Sequence, residues 1–278
     1  MGLSLLLHTV LGADLVCVPG LAERGVQSAD YVTRGTFDSI GNVRVYISAP
    51  HDAALKKGTM IYLPDGFGHA KHNFRLADRF AEVGWHVIIP DYYEGDAIPE
   101  QLLKRNFAVA LEDEPWTQAE KDLVASIDFE TWVKRHSVDR TEKLVHTVVS
   151  SLERGKEKVA AVGYCFGGKY AIRLAGTSFV DVVASFHPSF LEADDVKEGI
   201  TSLYVGLAAN DDMVPPTQKQ DLTSWLTQAG ALYGMETYDG VGHGFASRPD
   251  PVSPEGALQY QKAFEDTLKH LEASKSAL

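Results

Sequence analysis

The fold is decided by the stretch Ala160-Ala161-Val162-Gly163-Tyr164-Cys165-Phe166-Gly167-Gly168-Lys169-Tyr170-Ala171. Its apolar first part predicts a strand, and the small residues after Gly167 predict a helix. Gly-x-Cys-x-Gly is the cysteine version of the nucleophile elbow, a sharp strand-to-helix turn that presents a reactive side chain. The glycines are needed because neighbouring Cβ atoms would clash with the adjacent strand and helix. We expect Cys165 at the C-terminal edge of a sheet, beside a helix N-terminus that favours its thiolate. The alternative is a small buried cysteine in a glycine-rich turn.

Length and composition describe an ordinary globular α/β protein. The 278 residues, 45% apolar and 23% charged, fit one large domain. The net charge of −12 argues against nucleic acid or an anionic membrane as partner, since both need basic patches. Two cysteines, Cys17 and Cys165, make no disulfide framework and suit a reducing compartment, so a cytoplasmic location is predicted.

The N-terminal stretch needs a separate interpretation. Residues 3–18 are apolar enough to resemble the core of a secretory signal, but no Lys or Arg precedes them. His8 and Asp14 also interrupt the run, which is too short to span a bilayer. We expect residues 1–30 to form an N-terminal arm packed on the domain or on a partner subunit. The sequence is therefore compatible with a homodimer.

The rest of the chain alternates between strand and helix patterns. A turn at 39–42 predicts that the first two strands pair antiparallel, and no strand is predicted between 100 and 154. The segment 107–116 is predicted to be irregular. The plan is one parallel-sheet α/β domain whose sites lie at the C-terminal ends of its strands. The predicted strands are 31–37, 43–49, 59–63, 85–90, 158–162, 182–186, 202–207 and 231–238, and the predicted helices are 72–83, 118–136, 140–154, 166–175, 216–229 and 253–273.

Two later strand ends carry an acid and a histidine. The strand 202–207 is followed by Asn-Asp-Asp-Met-Val-Pro, which contains Asp211 and Asp212. The strand 231–238 is followed by Asp-Gly-Val-Gly-His-Gly-Phe, which contains His243. An elbow nucleophile on this fold requires the chain order nucleophile, acid, base. Either aspartate satisfies that order, and the other would cap the helix that begins at the following prolines. An ordinary loop histidine is the alternative for His243.

These three segments resemble the catalytic segments of the dienelactone hydrolases, and the similarity runs from about residue 41 to 271. The resemblance implies an α/β-hydrolase fold, with residues 31–278 as one domain and residues 1–30 outside it. It implies Cys165 as the nucleophile, His243 as the base and Asp211 as the acid. The oxyanion would be held by the backbone N–H groups of Phe166 and Gly66. A small-molecule lactone or ester is the implied partner, with no metal or organic cofactor.

The chain departs from the family pattern at three places, of which the first concerns the thiol and the other two concern the substrate. Asp65 stands where bacterial members have a glutamate that contacts the thiol. Glu94 and Gly95 replace an arginine that binds the substrate carboxylate. Ser247 stands where a second arginine is expected, with Arg248 one residue later. A neutral or bulkier lactone or ester is therefore expected. The residues predicted to line its pocket are Asp65, Phe67, Tyr92, Tyr93, His187, Phe245 and Arg248.

The sequence thus predicts a cofactor-independent hydrolase that works through a Cys-His-Asp triad and a thioester. One alternative is an isomerase, cyclase or lyase that uses the same cavity. Another is a catalytically silent binding protein, against which the intact triad speaks. His69 and His72 have a spacing seen in metal sites, but neutral loop histidines are expected instead.

Overall fold

The computed structural model describes residues 31–104, 116–152, 157–248 and 253–273, and these form one eight-stranded sheet between two layers of helices. The strand order is β1-β2-β4-β3-β5-β6-β7-β8. Strands β1 and β2 pair antiparallel, β2 joins β4 antiparallel, and β3 to β8 are all parallel. The strands are β1 (Thr36–Ile40), β2 (Val43–Ser48), β3 (Gly58–Leu63), β4 (Trp85–Pro90), β5 (Lys158–Tyr164), β6 (Val182–Phe186), β7 (Leu203–Asn210) and β8 (Tyr233–Gly242).

Helices cover both faces of the sheet, and each face has its own apolar core. One face packs against α1 and α7, with Phe80 and Phe264 in contact across the two helices. The other packs against α4, α5 and α6. Because both faces are covered, the central strands read as continuous apolar runs rather than alternating ones. The helices are α1 (Lys71–Glu82), α2 (Gln118–Ala125), α3 (Phe129–Arg135), α4 (Val138–Ser150), α5 (Phe166–Ala175), α6 (Pro216–Gln228) and α7 (Pro254–Ala273).

The predicted mixed α/β architecture is confirmed, and the strand 85–90, the helix 166–175 and the strand 182–186 have the predicted bounds. The other bounds differ by a few residues, and one predicted helix is split. The first strand begins at Thr36 rather than at residue 31. The predicted helix 118–136 is two helices, because the side chain of Asp128 accepts a hydrogen bond from the Thr131 N–H and starts α3 anew. Strands β7 and β8 run on to Asn210 and Gly242, which brings their ends directly to the predicted acid and histidine.

Two sequence-based expectations concern segments that the structure does not describe. The N-terminal arm at 1–30 and most of the irregular segment at 107–116 lie outside the described residues. Within the described ranges, no helix combines the length and the apolar character needed to cross a membrane.

Candidate active site

Cys165 occupies the turn between β5 and α5, with a φ of 53° in the left-handed region. The packing around the turn requires the flanking glycines. A Cβ on Gly163 would lie 2.3 Å from the carbonyl oxygen of Gly167, and one on Gly167 would lie 2.2 Å from that of Leu63. Strand and helix therefore approach too closely for any side chain at either position. The elbow geometry expected from Gly-x-Cys-x-Gly is present.

The histidine and one aspartate meet at the same edge of the sheet. Asp211 directly follows β7 and His243 directly follows β8, and these two strands are neighbours. His243 Nδ1 lies 3.0 Å from both carboxylate oxygens of Asp211. The N–H groups of Met213 and Val214 also donate to Asp211 Oδ1, at 3.0 and 3.2 Å, and hold the carboxylate in place. Asp212 is exposed, and no hydrogen bond joins it to His243 Nδ1 among the described residues. The aspartate that contacts the histidine is therefore Asp211, which is also the one that the family pattern selects.

A serine that the sequence analysis missed contacts both the thiol and the imidazole, which also interact with each other directly. Ser189 Oγ is 3.3 Å from Cys165 Sγ and 3.4 Å from His243 Nε2. Ser189 follows β6, the strand hydrogen-bonded to β5, and is fully buried. The sequence analysis named His187 at the end of β6 but not the serine two residues later, which the strand-end rule also covers.

The pKa values of Cys165 and His243 are shifted in opposite directions. Burial raises the pKa of the Cys165 thiol, but His243 and Arg248 lower it more, so the net pKa lies below its ordinary value. Burial lowers the pKa of His243, but Cys165 and Asp211 raise it more, and the result is about 9. These opposite shifts favour a thiolate–imidazolium pair at neutral pH.

His187 was predicted to line the pocket, but it lies behind the elbow and is not part of the cavity wall. Its ring is fully buried, and Nδ1 accepts a hydrogen bond from the Cys165 N–H at 3.1 Å. Burial, together with the charges of His243 and Arg248, holds its pKa well below the ordinary value. The ring is therefore neutral. With Nδ1 acting as acceptor, its proton lies on Nε2, which has no hydrogen-bond partner among the described residues.

Asp65 lies beneath the cavity wall, a second difference from the predicted pocket. Its Oδ2 lies 2.9 Å from His72 Nε2 and 3.2 Å from both Ser247 Oγ and Arg248 Nε. Its Oδ1 accepts from Asn73 Nδ2 at 2.9 Å. Burial raises the pKa of the carboxyl, but these partners lower it far more, so it is ionised. Asp65 is thus committed to a network that holds Arg248.

A cavity of about 540 Å³ opens over the nucleophile. Its wall is mainly apolar, and much of it comes from α3, where Phe129, Trp132 and Val133 recur at helical spacing. That spacing on a polar helix is the sequence signal that was missed. The lining residues are Gly66, Phe67, Ile98, Leu102, Val124, Phe129, Trp132, Val133, Cys165, Phe166, Phe190, Asn210, Asp212, Met213, Gly242, His243 and Arg248.

Of the residues predicted to line the pocket, Phe67 and Arg248 do so, and three aromatic residues do not. The hydroxyls of Tyr92 and Tyr93 donate to the carbonyls of Pro64 and Asp65, so the two rings brace the loop after β3 from inside the core. Phe245 packs on the aromatic core around Phe186 and Tyr238. These side chains are too deeply buried to meet a substrate.

Glu94 and Gly95, which stand where the family has a carboxylate-binding arginine, lie away from the cavity. Glu94 forms an ion pair with Arg140 on α4, and neither Glu94 nor Gly95 lines the cavity. Among the described residues, Arg248 is the sole Lys or Arg on its wall. The described part of the wall therefore offers an anion one permanently charged side chain, and that side chain is already paired with Asp65.

Two backbone N–H groups belong to residues that line the cavity beside the thiol. Phe166 is the first residue of α5, so its N–H has no acceptor within the helix. Gly66 lies in the loop after β3, and both residues line the cavity together with Cys165. In the described ranges neither N–H donates to another group. The arrangement suits a tetrahedral intermediate formed at the thiol.

The two histidines with metal-like spacing have other partners. His69 Nε2 is 3.0 Å from the carbonyl of Ile89, and His72 pairs with Asp65. The described residues contain no group of three or more His, Cys, Asp or Glu that could hold a metal ion. Both contacts therefore hold the loop after β3, through His69 within the loop and through Asp65, the partner of His72.

Comparisons with known proteins identify the family of this chain. The model of the dienelactone hydrolase family matches residues 43–274. Hydrolase tropI of Talaromyces stipitatus is 31% identical over 263 residues, which cover 93% of this chain and 95% of that protein. Hydrolase pyvD of Aspergillus violaceofuscus is 29% identical over 245 residues, 87% of this chain and 89% of that protein. A dienelactone hydrolase-like promiscuous phosphotriesterase from metagenomic libraries shares the fold, with a TM-score of 0.59, 18% identity, and coverage of 86% of this chain and 96% of that one. The chain therefore belongs to the dienelactone hydrolase family and is a hydrolase of ester or lactone bonds on the α/β-hydrolase fold.

Proposed function

We propose that this protein opens a lactone, or cleaves an ester, through a thioester formed on Cys165. The observation that carries the proposal is a buried thiol at an elbow, at the floor of a cavity, beside a histidine held by a carboxylate. Asp211 keeps the proton of neutral His243 on Nδ1, which leaves Nε2 facing the thiol side of the site. The opposite pKa shifts of Cys165 and His243 supply the thiolate that attack requires.

Acylation follows from these positions. The thiolate of Cys165 attacks the carbonyl carbon, and the N–H groups of Phe166 and Gly66 stabilise the negative oxygen that forms. Because these donors are fixed by the backbone, they need no reorganisation as charge develops. The imidazolium of His243 then donates its Nε2 proton to the departing alkoxide, and the ring opens or the alcohol leaves.

Deacylation uses the same groups in reverse roles. Neutral His243 takes a proton from water, the hydroxide attacks the thioester, and the thiolate of Cys165 departs. Asp211 stabilises the positive imidazole in both halves of the cycle. No step calls for a metal ion or an organic cofactor. A free thiol nucleophile persists in a reducing compartment, so we place the enzyme in the cytoplasm.

The cavity supports a bulky, apolar and uncharged substrate. Its volume of about 540 Å³ suits a molecule of drug-like size, and the side chains of Phe129, Trp132 and Phe190 offer apolar contact surface. Arg248, the one Lys or Arg that the described residues place on the wall, is paired with a buried carboxylate. Binding energy therefore comes from apolar burial more than from charge.

The proposal is tested by intact-mass spectrometry with a neutral aryl ester and a neutral lactone. An adduct of the acyl mass is expected on Cys165 in the wild type and none in Cys165→Ala, with Cys17→Ala as the matched control. Turnover in H₂¹⁸O should place one labelled oxygen in the acid product. A product isomeric with the substrate, with no added water and no adduct, would establish the isomerase alternative instead.

A further inference from the structure

We propose that Ser189 is a catalytic residue whose hydroxyl bridges Cys165 and His243 and carries the proton between them. The inference rests on the proposed function, because it assigns a role within the thiolate mechanism. Ser189 is fully buried, and its Oγ contacts one reacting atom on each side, at 3.3 Å from Sγ and 3.4 Å from Nε2. The two distances are those of a sulfur hydrogen bond and of a long O–N hydrogen bond of the kind that tightens when substrate binds.

The backbone around Ser189 is held in an unfavourable conformation that aims the hydroxyl at the site. His187 and Phe190, on either side, both have positive φ, at 37° and 57°. Such conformations cost about 1–3 kcal/mol each for residues other than glycine, and they concentrate at functional sites. Three hydrogen bonds keep the segment in place, one of them from the Ser189 N–H to the carbonyl of Cys165 at 3.0 Å. The other two run from the His187 N–H to the Gly206 carbonyl at 2.7 Å and from Lys169 Nζ to the Phe190 carbonyl at 2.9 Å.

The proton transfer balances without any net change in the serine. In the neutral site, His243 Nδ1–H donates to Asp211, so the Nε2 lone pair can accept from the Ser189 hydroxyl. The same hydroxyl oxygen accepts from the Cys165 thiol. The thiol proton moves to Oγ as the hydroxyl proton moves to Nε2. The products are a thiolate that accepts from the Ser189 hydroxyl and an imidazolium that donates to it.

The bridge stabilises the ion pair as well as forming it. A hydroxyl that donates to the thiolate and accepts from the imidazolium satisfies both charges inside a dry site. Hydrogen bonds to charged groups are worth enough that losing one changes a protonation equilibrium by about 10- to 100-fold. Ser189→Ala should therefore move the thiol titration upward by about one to two pH units.

The titration is read directly from the ultraviolet absorbance of the thiolate, with the Cys165→Ala spectrum subtracted, and from the pH dependence of iodoacetamide alkylation. At pH 6, Ser189→Ala should alkylate at least tenfold more slowly than the wild type. Ser185→Ala is the matched control, because that serine is also buried on β6 but donates to the Gly168 carbonyl and does not touch the thiol. It should titrate as the wild type does.

A second pair of variants covers the case in which Ser189→Ala does not fold. Ser189→Thr and Ser189→Val have the same shape and differ in the hydroxyl alone. The threonine variant should keep the low thiol titration, and the valine variant should lose it. Equal titrations for Thr and Val, or an unchanged titration in a folded Ala variant, would overturn the bridge. If the wild type forms no thioester on Cys165, the proposed function fails instead, whatever Ser189 does to the titration.

Discussion

Asp65 Oδ2 lies 3.2 Å from Nε of Arg248, so a fully buried carboxylate holds the one Lys or Arg side chain that the described residues place on the cavity wall. Gly244 makes room for this arrangement, because a Cβ there would lie 2.5 Å from the guanidinium carbon. The guanidinium also lies 5.4 Å from the centre of the Phe67 ring. Arg248 is therefore a fixed part of the wall, with much of its charge offset before any substrate arrives.

The first prediction concerns the acid of the triad. Asp211→Asn should lower kcat by about 10³- to 10⁴-fold, because the amide cannot hold the imidazole in the tautomer that leaves Nε2 as acceptor. Asp212→Asn is the matched control and should change kcat little, since Asp212 does not contact His243 Nδ1. Steady-state kinetics with a neutral aryl ester measure both variants. A large loss in the Asp212 variant with a small loss in the Asp211 variant would reverse the assignment.

The second prediction follows from the opposite pKa shifts. Because the pKa of Cys165 is lowered and that of His243 is raised to about 9, the thiolate–imidazolium pair is favoured at neutral pH and up to about pH 9. Alkylation of Cys165 by iodoacetamide should therefore stay fast at pH 6 and exceed that of Cys17, with activity lost in parallel. The kcat should fall as pH rises through about 9, where His243 loses the proton that the leaving group needs. Equal alkylation of the two cysteines would show that the thiol is not activated.

The sequence was most informative where local sterics decide the structure. Gly163 and Gly167 fix the elbow. The strand-end rule predicted that Asp211 or Asp212 would lie beside His243, the family resemblance selected Asp211, and Asp211 is the one within hydrogen-bond distance of His243. It was least informative where side chains from distant segments meet. The break between α2 and α3 depends on a single cap by Asp128, and the direction of the Tyr92 and Tyr93 rings depends on carbonyls of another loop.

The third prediction tests the steric basis of the elbow. Gly163→Ala should destabilise the fold by about 3 kcal/mol or more and abolish activity, since its Cβ would meet the Gly167 carbonyl oxygen at 2.3 Å. Gly95→Ala is the control, because its φ is 84° but no atom lies within 4 Å of the added Cβ. That change should cost about 1 kcal/mol, from backbone strain alone. Urea unfolding compares them, and equal costs would contradict the packing argument.

The fourth prediction concerns the apolar wall. Phe129 is 39% exposed and lines the cavity at α3, so Phe129→Ala should leave stability nearly unchanged. It should raise KM for a bulky aromatic ester by about tenfold, the equivalent of partly unburying one aromatic side chain, and leave KM for a small acetyl ester unchanged. Leu258→Ala removes an exposed side chain of α7 away from the cavity and should affect neither substrate. A KM that does not depend on substrate size would place the binding surface elsewhere.

The last prediction concerns substrate charge. The wild type should turn over a neutral lactone with a higher kcat/KM than its carboxylated analogue, because Asp65 offsets the charge of Arg248 and the chain carries a net charge of −12. Asp65→Asn should remove that offset and improve kcat/KM for the carboxylated lactone by about two- to fivefold, as expected for a partly exposed ion pair. The neutral lactone should gain much less, and this difference between the two substrates controls for any general effect of the change on the fold.

Arg248→Ala should lower kcat/KM for the carboxylated lactone further. If the wild type already prefers the carboxylated lactone and Arg248→Ala abolishes that preference, then Arg248 is a working carboxylate anchor and the neutral-substrate proposal is wrong.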